Sequence, residues 1–252
     1  MSTKIIEFKF MFVNTIIYYS YLMFRYITTK LTDFMDNMVQ FSDNIKQNEI
    51  FYFDFETTGL NPYHAKIIDY AFLLQENDSE DTYIESLINP ETKFEKKITD
   101  ITGIHPEELE DKPTISEMKS NIYNFINSDT KKIVHKYIPG RYLVAHNCDG
   151  FDKVFLMRLF EDRETFPLAK DWKFIDTVPL AKKLLPRLSS HSLKSLSQYY
   201  NIKSGTHRAL SDTICLKHVF IELVKTLCAK DGHSLGHYLE NPQNIIDYYS
   251  FN

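Results

Sequence analysis

Apolar and aromatic runs in the first half of the chain predict three strands. They cover residues 50–55 (IFYFDF), 67–74 (IIDYAFLL) and 82–88. Such runs are typical of buried strands, and turn-forming residues at 58–62 and 89–90 end the first and third of them. Because the three runs follow one another closely, we expect them to pair antiparallel.

The second half of the chain alternates short apolar strands with segments of helical spacing. Strands are predicted at 141–145 and 173–175, and helices at 116–126, 151–160, 178–185, 192–200 and 210–227. A meander of strands followed by alternating strands and helices predicts an α/β fold. We expect a mixed five-stranded sheet flanked by helices.

Composition is compatible with one globular domain plus appendages. Of the 252 residues, 43% are hydrophobic, which is enough for a sizeable core. The net charge of −5 provides no overall basic field for nucleic acid, although a bound metal can supply positive charge locally. The three cysteines lack paired spacing, so we expect no disulfide framework and a reducing compartment, the cytoplasm or nucleus.

The chain is expected to divide into an N-terminal extension and linker (1–48), a folded domain (49–228) and a C-terminal tail (229–252). Residues 10–24 form a charge-free apolar and aromatic run, which is shorter than the roughly 20 residues of a membrane span. We expect a packed helix or a disordered leader there, with a membrane anchor as the alternative. Translation from Met35 or Met38 would remove this segment.

Two acidic residues on the first predicted strand are the first candidate site. Asp54 and Glu56 are two positions apart, so both side chains point to one face while Phe53 and Phe55 point to the other. Like charges so close together need a cation or a raised pKa, and carboxylate oxygens suit Mg²⁺ or Mn²⁺. The alternative is a solvated strand edge.

Further candidates lie at a strand end and at a helix start. Asp152 follows the fourth predicted strand, where open α/β sheets place their sites; it could instead cap the next helix, and Asp149 is a rival carboxylate. His207 and Asp212 lie around the start of the last helix. Five helical residues rotate about 140°, so the two side chains converge only if His207 lies in the preceding loop, which Gly205 permits.

The order of short motifs resembles the DEDDh (DnaQ-like) 3′–5′ exonucleases, which include the epsilon proofreading subunit of bacterial DNA polymerase III and the three-prime repair exonucleases. The motifs are DFETTG, then AHN followed by FD, then HRALSD, with matching segments between them, and they lie within residues 50–227. Each motif alone is a weak signal, whereas all of them in order are specific.

This resemblance implies a ribonuclease H-like fold and hydrolysis assisted by two Mg²⁺ or Mn²⁺ ions. In the family pattern Asp54 bridges both ions. Glu56 and Asp212 match ligands of the ion that holds the attacking water, and Asp152 serves the second ion. His207 matches the general base.

The resemblance also implies a substrate site. The turn that cradles the terminal nucleotide and the aromatic residue near its base correspond to Thr57, Thr58, Gly59, Leu60 and Phe151. Two departures from the family pattern stand out. The second motif has one more residue before Phe151 than the epsilon subunit has, and Asp69 stands where the family usually has Glu.

Residues 170–208 carry an excess of positive charge. Eight lysines and arginines stand there against Asp171 and Asp176, which suits either phosphate contacts or a solvated helical face. We expect Asp176 to cap its helix rather than to bind metal.

The predicted function is that of a 3′–5′ exonuclease acting on single-stranded or frayed 3′ ends of DNA or RNA, with a polymerase or repair complex as a candidate partner. Two alternatives remain open. One is an inactive nucleic-acid-binding module of the same fold, and the other is a ribonuclease H-type endonuclease.

Overall fold

The computed structural model describes residues 23–26, 28–31, 48–75, 80–127, 140–162 and 164–250. The chain forms two compact units, Met1–Lys46 and Gln47–Asn252. In the first unit the described residues are helical and exposed. Most of the apolar run 10–24, and both Met35 and Met38, lie outside the described residues. No helix among the described residues combines the length and apolar character needed to cross a membrane.

A five-stranded mixed sheet forms the centre of the second unit, as predicted. Its strands are β1 (Asn48–Thr57), β2 (Ile67–Leu74), β3 (Thr82–Leu87), β4 (Gly140–Ala145) and β5 (Lys173–Asp176), in the order β3-β2-β1-β4-β5. The β1–β2 and β2–β3 pairs are antiparallel, which confirms the predicted meander. The β1–β4 and β4–β5 pairs are parallel, so the sheet places the carboxyl ends of β1 and β4 side by side.

The helices are α1 (Lys96–Thr102), α2 (Ile115–Ile126), α3 (Asp152–Leu159), α4 (Thr177–Leu184), α5 (Leu193–Tyr199), α6 (Ala209–Asp231), α7 (Leu235–Leu239) and α8 (Gln243–Ser250). The five predicted helices are present, with boundaries shifted by a few residues. Helix α2, for example, begins where the Thr114 side chain accepts a hydrogen bond from the Glu117 amide, as in a capping box.

The sequence sets residues 229–252 apart as a tail, and the described part of that segment, residues 229–250, is packed in the structure. Helix α6 continues to Asp231, and α7 and α8 follow it. Tyr238 and Ile245 are buried in the same core cluster as α6. These short helices have few apolar positions each, so their sequences alone did not predict them.

The sheet separates two hydrophobic cores. Phe51, Phe53 and Phe55 of β1 belong to the core formed with α2 and α3. Ile50 and Tyr52 belong to the other core, which α4, α5 and α6 cover. This alternation follows from the period of two in a strand. The face that carries Ile50 and Tyr52 continues along β1 with Asp54 and Glu56.

Candidate active site

The carboxyl end of β1 holds Asp54 and Glu56 on one face of the sheet, as the sequence predicts. Both residues are half-buried. The opposite face is fixed by aromatic packing, because the Phe53 ring stacks on Phe72 with centroids 5.4 Å apart, and Phe55 meets Phe155 edge-on at 6.4 Å. The rigid aromatic face therefore holds the two carboxylates in place.

Asp152, rather than Asp149, lies beside β1. It is the first residue of α3 and is buried, and its Oδ1 accepts a hydrogen bond from the Phe55 amide at 3.2 Å. The Asp149 side chain is instead exposed, and its Oδ1 lies 2.7 Å from Lys153 Nζ. The hydrogen bond between Phe55 and Asp152, which are 97 positions apart in the chain, therefore distinguishes Asp152 from Asp149 as the carboxylate beside β1.

His207 and Asp212 converge on Glu56. Nitrogen and carboxylate oxygen atoms of the three residues lie within 4.8 Å of one another. His207 has a φ of 56° and precedes α6, which begins at Ala209. His207 therefore lies in the loop before the helix, which is the condition under which its side chain and that of Asp212 can converge.

Gly205 makes room for the Asp212 carboxylate. A Cβ atom at position 205 would lie 1.5 Å from Asp212 Oδ1 and 3.1 Å from its Cα. The backbone of His207 and Thr206 also hydrogen-bonds to this carboxylate. The loop therefore closes over Asp212 only because residue 205 lacks a side chain.

The carboxyl groups of Asp54, Glu56 and Asp152 have raised pKa values, so full ionisation of this acidic cluster is unfavourable. Burial, followed by the charges of Asp152, Glu56 and Asp212, raises the pKa of Asp54 well above its ordinary value. Burial, then the charge of Asp212, raises the pKa of Glu56 to about 8. Burial also raises the pKa of Asp152 to about 8 against its hydrogen bond from Phe55. At neutral pH the site therefore needs protons or a cation, and a set of oxygen ligands fits a hard divalent ion.

Asp69 is a site residue that the sequence did not predict. It is buried on β2 opposite Glu56, and its Oδ2 accepts hydrogen bonds from Arg208 Nε at 3.1 Å and from the Ala209 amide at 3.2 Å. The bond from Ala209 caps the start of α6 from another element. The sequence does contain one indication of this role. Asp69 is the single carboxylate in the apolar run IIDYAFLL, and a buried charge needs a partner.

Asp176 caps α4, as predicted, and it also fastens the loop after β4. Its Oδ1 accepts hydrogen bonds from the amides of Val178 at 2.9 Å and Asn147 at 3.1 Å. Its Oδ2 accepts from the Asp149 amide at 3.2 Å. The loop that leads to Asp152 is thus anchored to β5.

The turn after β1 is held by hydrogen bonds and presents an apolar tip. Thr57 Oγ1 donates to the Gly59 carbonyl at 2.7 Å, and the Thr58 amide donates to the Lys66 carbonyl at 2.8 Å. Leu60 at the tip is 84% exposed. Phe151, before α3, is half-buried with its ring edge-on to Phe155 at 5.1 Å.

Some basic side chains of residues 170–208 form hydrogen bonds within the protein. Lys173 Nζ lies 3.1 Å from the Tyr142 hydroxyl, Lys183 Nζ donates to the Tyr248 carbonyl at 2.7 Å, and Arg208 contacts Asp69. The basic residues of this stretch therefore do not all lie on one solvated helical face.

Comparisons of the sequence with known proteins place residues 51–220 within the RNase_T model, described as an exonuclease. The PolC-type DNA polymerase III of Thermotoga petrophila (strain RKU-1) is 34% identical over 199 residues, which cover 77% of this chain and 13% of the polymerase. The Arabidopsis thaliana exonuclease DPD1, chloroplastic/mitochondrial, is 30% identical over 183 residues, 68% of this chain and 54% of that protein.

Solved structures of E. coli exonuclease I share the fold. The complex with a dA16 oligonucleotide has a TM-score of 0.56 at 20% identity, covering 71% of this chain and 41% of that one. The complex with a dT13 oligonucleotide has a TM-score of 0.57 at 19% identity, covering 73% and 42%. The mixed five-stranded sheet flanked by helices is thus the predicted ribonuclease H-like fold. The chain spans about an eighth of the polymerase, about half of DPD1 and about two fifths of exonuclease I.

Proposed function

Because the chain belongs to the RNase_T exonuclease family of DEDDh (DnaQ-like) type, we propose that it removes nucleotides one at a time from the 3′ end of single-stranded DNA or RNA by metal-dependent hydrolysis. One observation carries this proposal: Glu56, His207 and Asp212 meet within 4.8 Å. A histidine among metal-binding carboxylates supplies a proton acceptor where an attacking water would be held.

Four carboxylates would hold two Mg²⁺ or Mn²⁺ ions: Asp54, Glu56, Asp152 and Asp212. The raised pKa values of Asp54, Glu56 and Asp152 support this assignment, because they arise from burial first and then from neighbouring negative charges, and bound cations would offset both effects. Two bound ions supply stabilisation of the attacking and leaving oxygens of an in-line displacement. The rigid end of β1 and the anchored start of α3 keep these ligands in position.

His207 is the proposed general base. Its imidazole is exposed on a loop that the structure holds over Asp212, so water can reach it. Neutral imidazole accepts the proton of the attacking water, and the neighbouring Asp212 carboxylate stabilises the resulting positive charge. The proton then leaves to solvent.

The terminal nucleotide is proposed to lie against the turn 57–60 and Phe151. Leu60 is exposed and can contact a base, and an aromatic ring such as Phe151 stacks on any base. The dA16 and dT13 oligonucleotides in the exonuclease I complexes support a single-stranded substrate. The PolC-type relatives support a polymerase complex as the partner, which co-purification with a replicative polymerase would test.

Labelled oligonucleotides test the proposed function. With Mg²⁺ or Mn²⁺, a 5′-labelled single strand should give a ladder and a 3′-labelled one should release its terminal nucleotide first. Excess chelator should stop the reaction, and Ca²⁺ should support it poorly. Comparing matched DNA and RNA strands identifies the sugar preference.

The same assay separates the alternatives. Internal cuts in a strand with a blocked 3′ end would indicate an endonuclease, and a mobility shift without cleavage would indicate a binding module. Undiminished cleavage in excess chelator would contradict the two-metal proposal.

A further inference from the structure

Among the described residues, the Arg208 guanidinium is contacted at one nitrogen, Nε. Its Nε lies 3.1 Å from Asp69 Oδ2, and the Arg208 side chain is 47% exposed whereas that of Asp69 is 4% exposed. Within the part of the chain that the structure describes, neither Nη atom has a hydrogen bond. The charged fork of the guanidinium is thus available to an anion.

Asp69 fixes the position of the Arg208 guanidinium relative to the candidate active site. The oxygen that accepts from Arg208 also accepts from the Ala209 amide at 3.2 Å. Asp69 is the cross-strand partner of Glu56 in the β1–β2 register. A buried carboxylate on the sheet therefore orients the arginine next to a candidate metal ligand, and it leaves both Nη atoms for a planar, two-pronged contact.

The charge of Arg208 acts on the acidic cluster. It lowers the pKa of Glu56 against the effects of burial and of Asp212, which raise it. His207, the candidate base, precedes Arg208 in the chain. An anion that reaches the base and the carboxylates therefore also comes within the field of this guanidinium.

We propose that Arg208 donates hydrogen bonds from its Nη atoms to the scissile phosphate of the substrate, with Asp69 as its positioning residue. The ligand class is a nucleoside 5′-phosphate at the 3′ end of a strand, so the mononucleotide product binds the same group. This inference rests on the proposed exonuclease function. Oxygen atoms of phosphate match the arginine fork, whereas a lysine would offer a point charge.

The test compares Arg208→Ala, Arg208→Lys and Arg187→Ala with the wild type. Arg187 is an exposed arginine of the same basic stretch and serves as the matched control. Two measurements are made: the affinity for a 5′-fluorescein-labelled dT oligonucleotide in chelator at several salt concentrations, and inhibition of cleavage by thymidine 5′-monophosphate.

Loss of a charged hydrogen bond should weaken both the oligonucleotide affinity and the inhibition by about tenfold to a hundredfold in Arg208→Ala. The slope of log affinity against log salt should become shallower by about 0.7. Arg208→Lys should keep the salt slope and recover only part of the affinity. Arg187→Ala should match the wild type in both measurements.

This inference would be overturned if Arg208→Ala bound the oligonucleotide and were inhibited by the mononucleotide as strongly as the wild type. If the wild-type enzyme still degraded the strand, the proposed function would remain intact. Weaker oligonucleotide binding with unchanged inhibition by the mononucleotide would place the contact on another phosphate and overturn the assignment. Absence of cleavage by the wild type on every strand would instead contradict the proposed function.

A double-mutant cycle tests the role of Asp69. Asp69→Asn should weaken binding and reduce the salt slope in the wild-type background, because the arginine is released. The same change in the Arg208→Ala background should alter neither quantity. Additive effects would show that Asp69 only supports the fold and would remove its positioning role.

Discussion

At the scale of single residues, the candidate site is a set of carboxyl groups that destabilise one another. Asp54 is the centre of this repulsion, because Asp152, Glu56 and Asp212 all add to the effect of burial on its pKa. Removing one of these charges should therefore stabilise the folded chain and destroy the proposed metal site.

Asp54→Ala should abolish hydrolysis and leave the protein folded. In chelator the variant should be more stable by about 1 kcal/mol, which corresponds to about 2–4 °C in melting temperature for a domain of this size. Circular dichroism melts and cleavage of a labelled strand measure the two effects. Asp100→Ala, on the exposed side of α1, is the control and should remain active. A fully active Asp54→Ala enzyme would exclude this residue from the mechanism.

His207→Ala should lower the single-turnover cleavage rate by about 10²–10⁴-fold, or roughly 3–5 kcal/mol of barrier, because the attacking water loses its proton acceptor. Affinities for metal and for oligonucleotide should persist, since no proposed ligand is removed. His207→Gln should be no faster, because an amide cannot accept the proton. A variant that loses binding rather than rate would identify His207 as a substrate contact.

At the scale of elements, the loops that end β4 and begin α6 decide where the functional side chains lie. Asp176 holds the first of these loops with hydrogen bonds from three amides. Gly205 allows the second loop to close over Asp212. Neither residue is proposed to touch substrate, so both should act through the positions of others.

Asp176→Ala should destabilise the protein by about 2 kcal/mol, since it removes a helix cap and leaves three part-buried backbone amides without this acceptor. Cleavage should also slow, because the freed loop leads to Asp152. Thr114→Ala, which removes the cap of α2 away from the site, is the matched control. It should cost about 1 kcal/mol and leave the cleavage rate unchanged. Equal rates in both variants would contradict a role of Asp176 in placing α3.

Gly205→Ala should reduce cleavage as severely as Asp212→Ala, because the new Cβ would lie 1.5 Å from the Asp212 carboxylate and must displace it. Titration with Mn²⁺ should show weaker binding. Gly103→Ala is the contrasting control: its Cβ would meet nothing within 4 Å, but its φ of 69° is strained for alanine. Gly103→Ala should lose stability and keep activity. A fully active Gly205→Ala enzyme would contradict the prediction, because it would show that the loop can shift to accommodate the new Cβ.

At the scale of the whole molecule, the buried acid cluster links folding to pH and to metal. Glu56 and Asp152 have folded-state pKa values raised to about 8, against about 4 in an unfolded chain. Between these values the folded protein retains protons that the unfolded chain has released. The stability that these groups contribute is therefore complete below about pH 4 and is lost as pH rises through about 8.

The metal-free protein should accordingly melt at a lower temperature as pH rises from about 5 to about 8. Saturating Mg²⁺ should raise the melting temperature, most strongly at the high end of this range, because the proposed site would bind the ion through ionised ligands and in the folded state only. Calorimetry in chelator and in Mg²⁺ measures both curves. Melting temperatures that rise with pH in chelator would contradict the raised pKa values.

Local periodicity was sufficient for much of the fold and for part of the site. The period of two in β1 placed Asp54 and Glu56 on one face and the phenylalanines on the other, because strand geometry is a property of the segment itself. The same holds for the amphipathic helices and for the cap at Asp176. The order of the motifs indicated the family without knowledge of any contact.

Only the tertiary structure decided which distant groups meet. It selected Asp152 over Asp149 through a hydrogen bond to β1, and it joined Asp69 to Arg208 across 139 positions of the chain. It also packed α7 and α8 into the core. These outcomes depend on how separate elements pack and on where buried polar groups find partners, and no local pattern of apolar and polar residues contains that information.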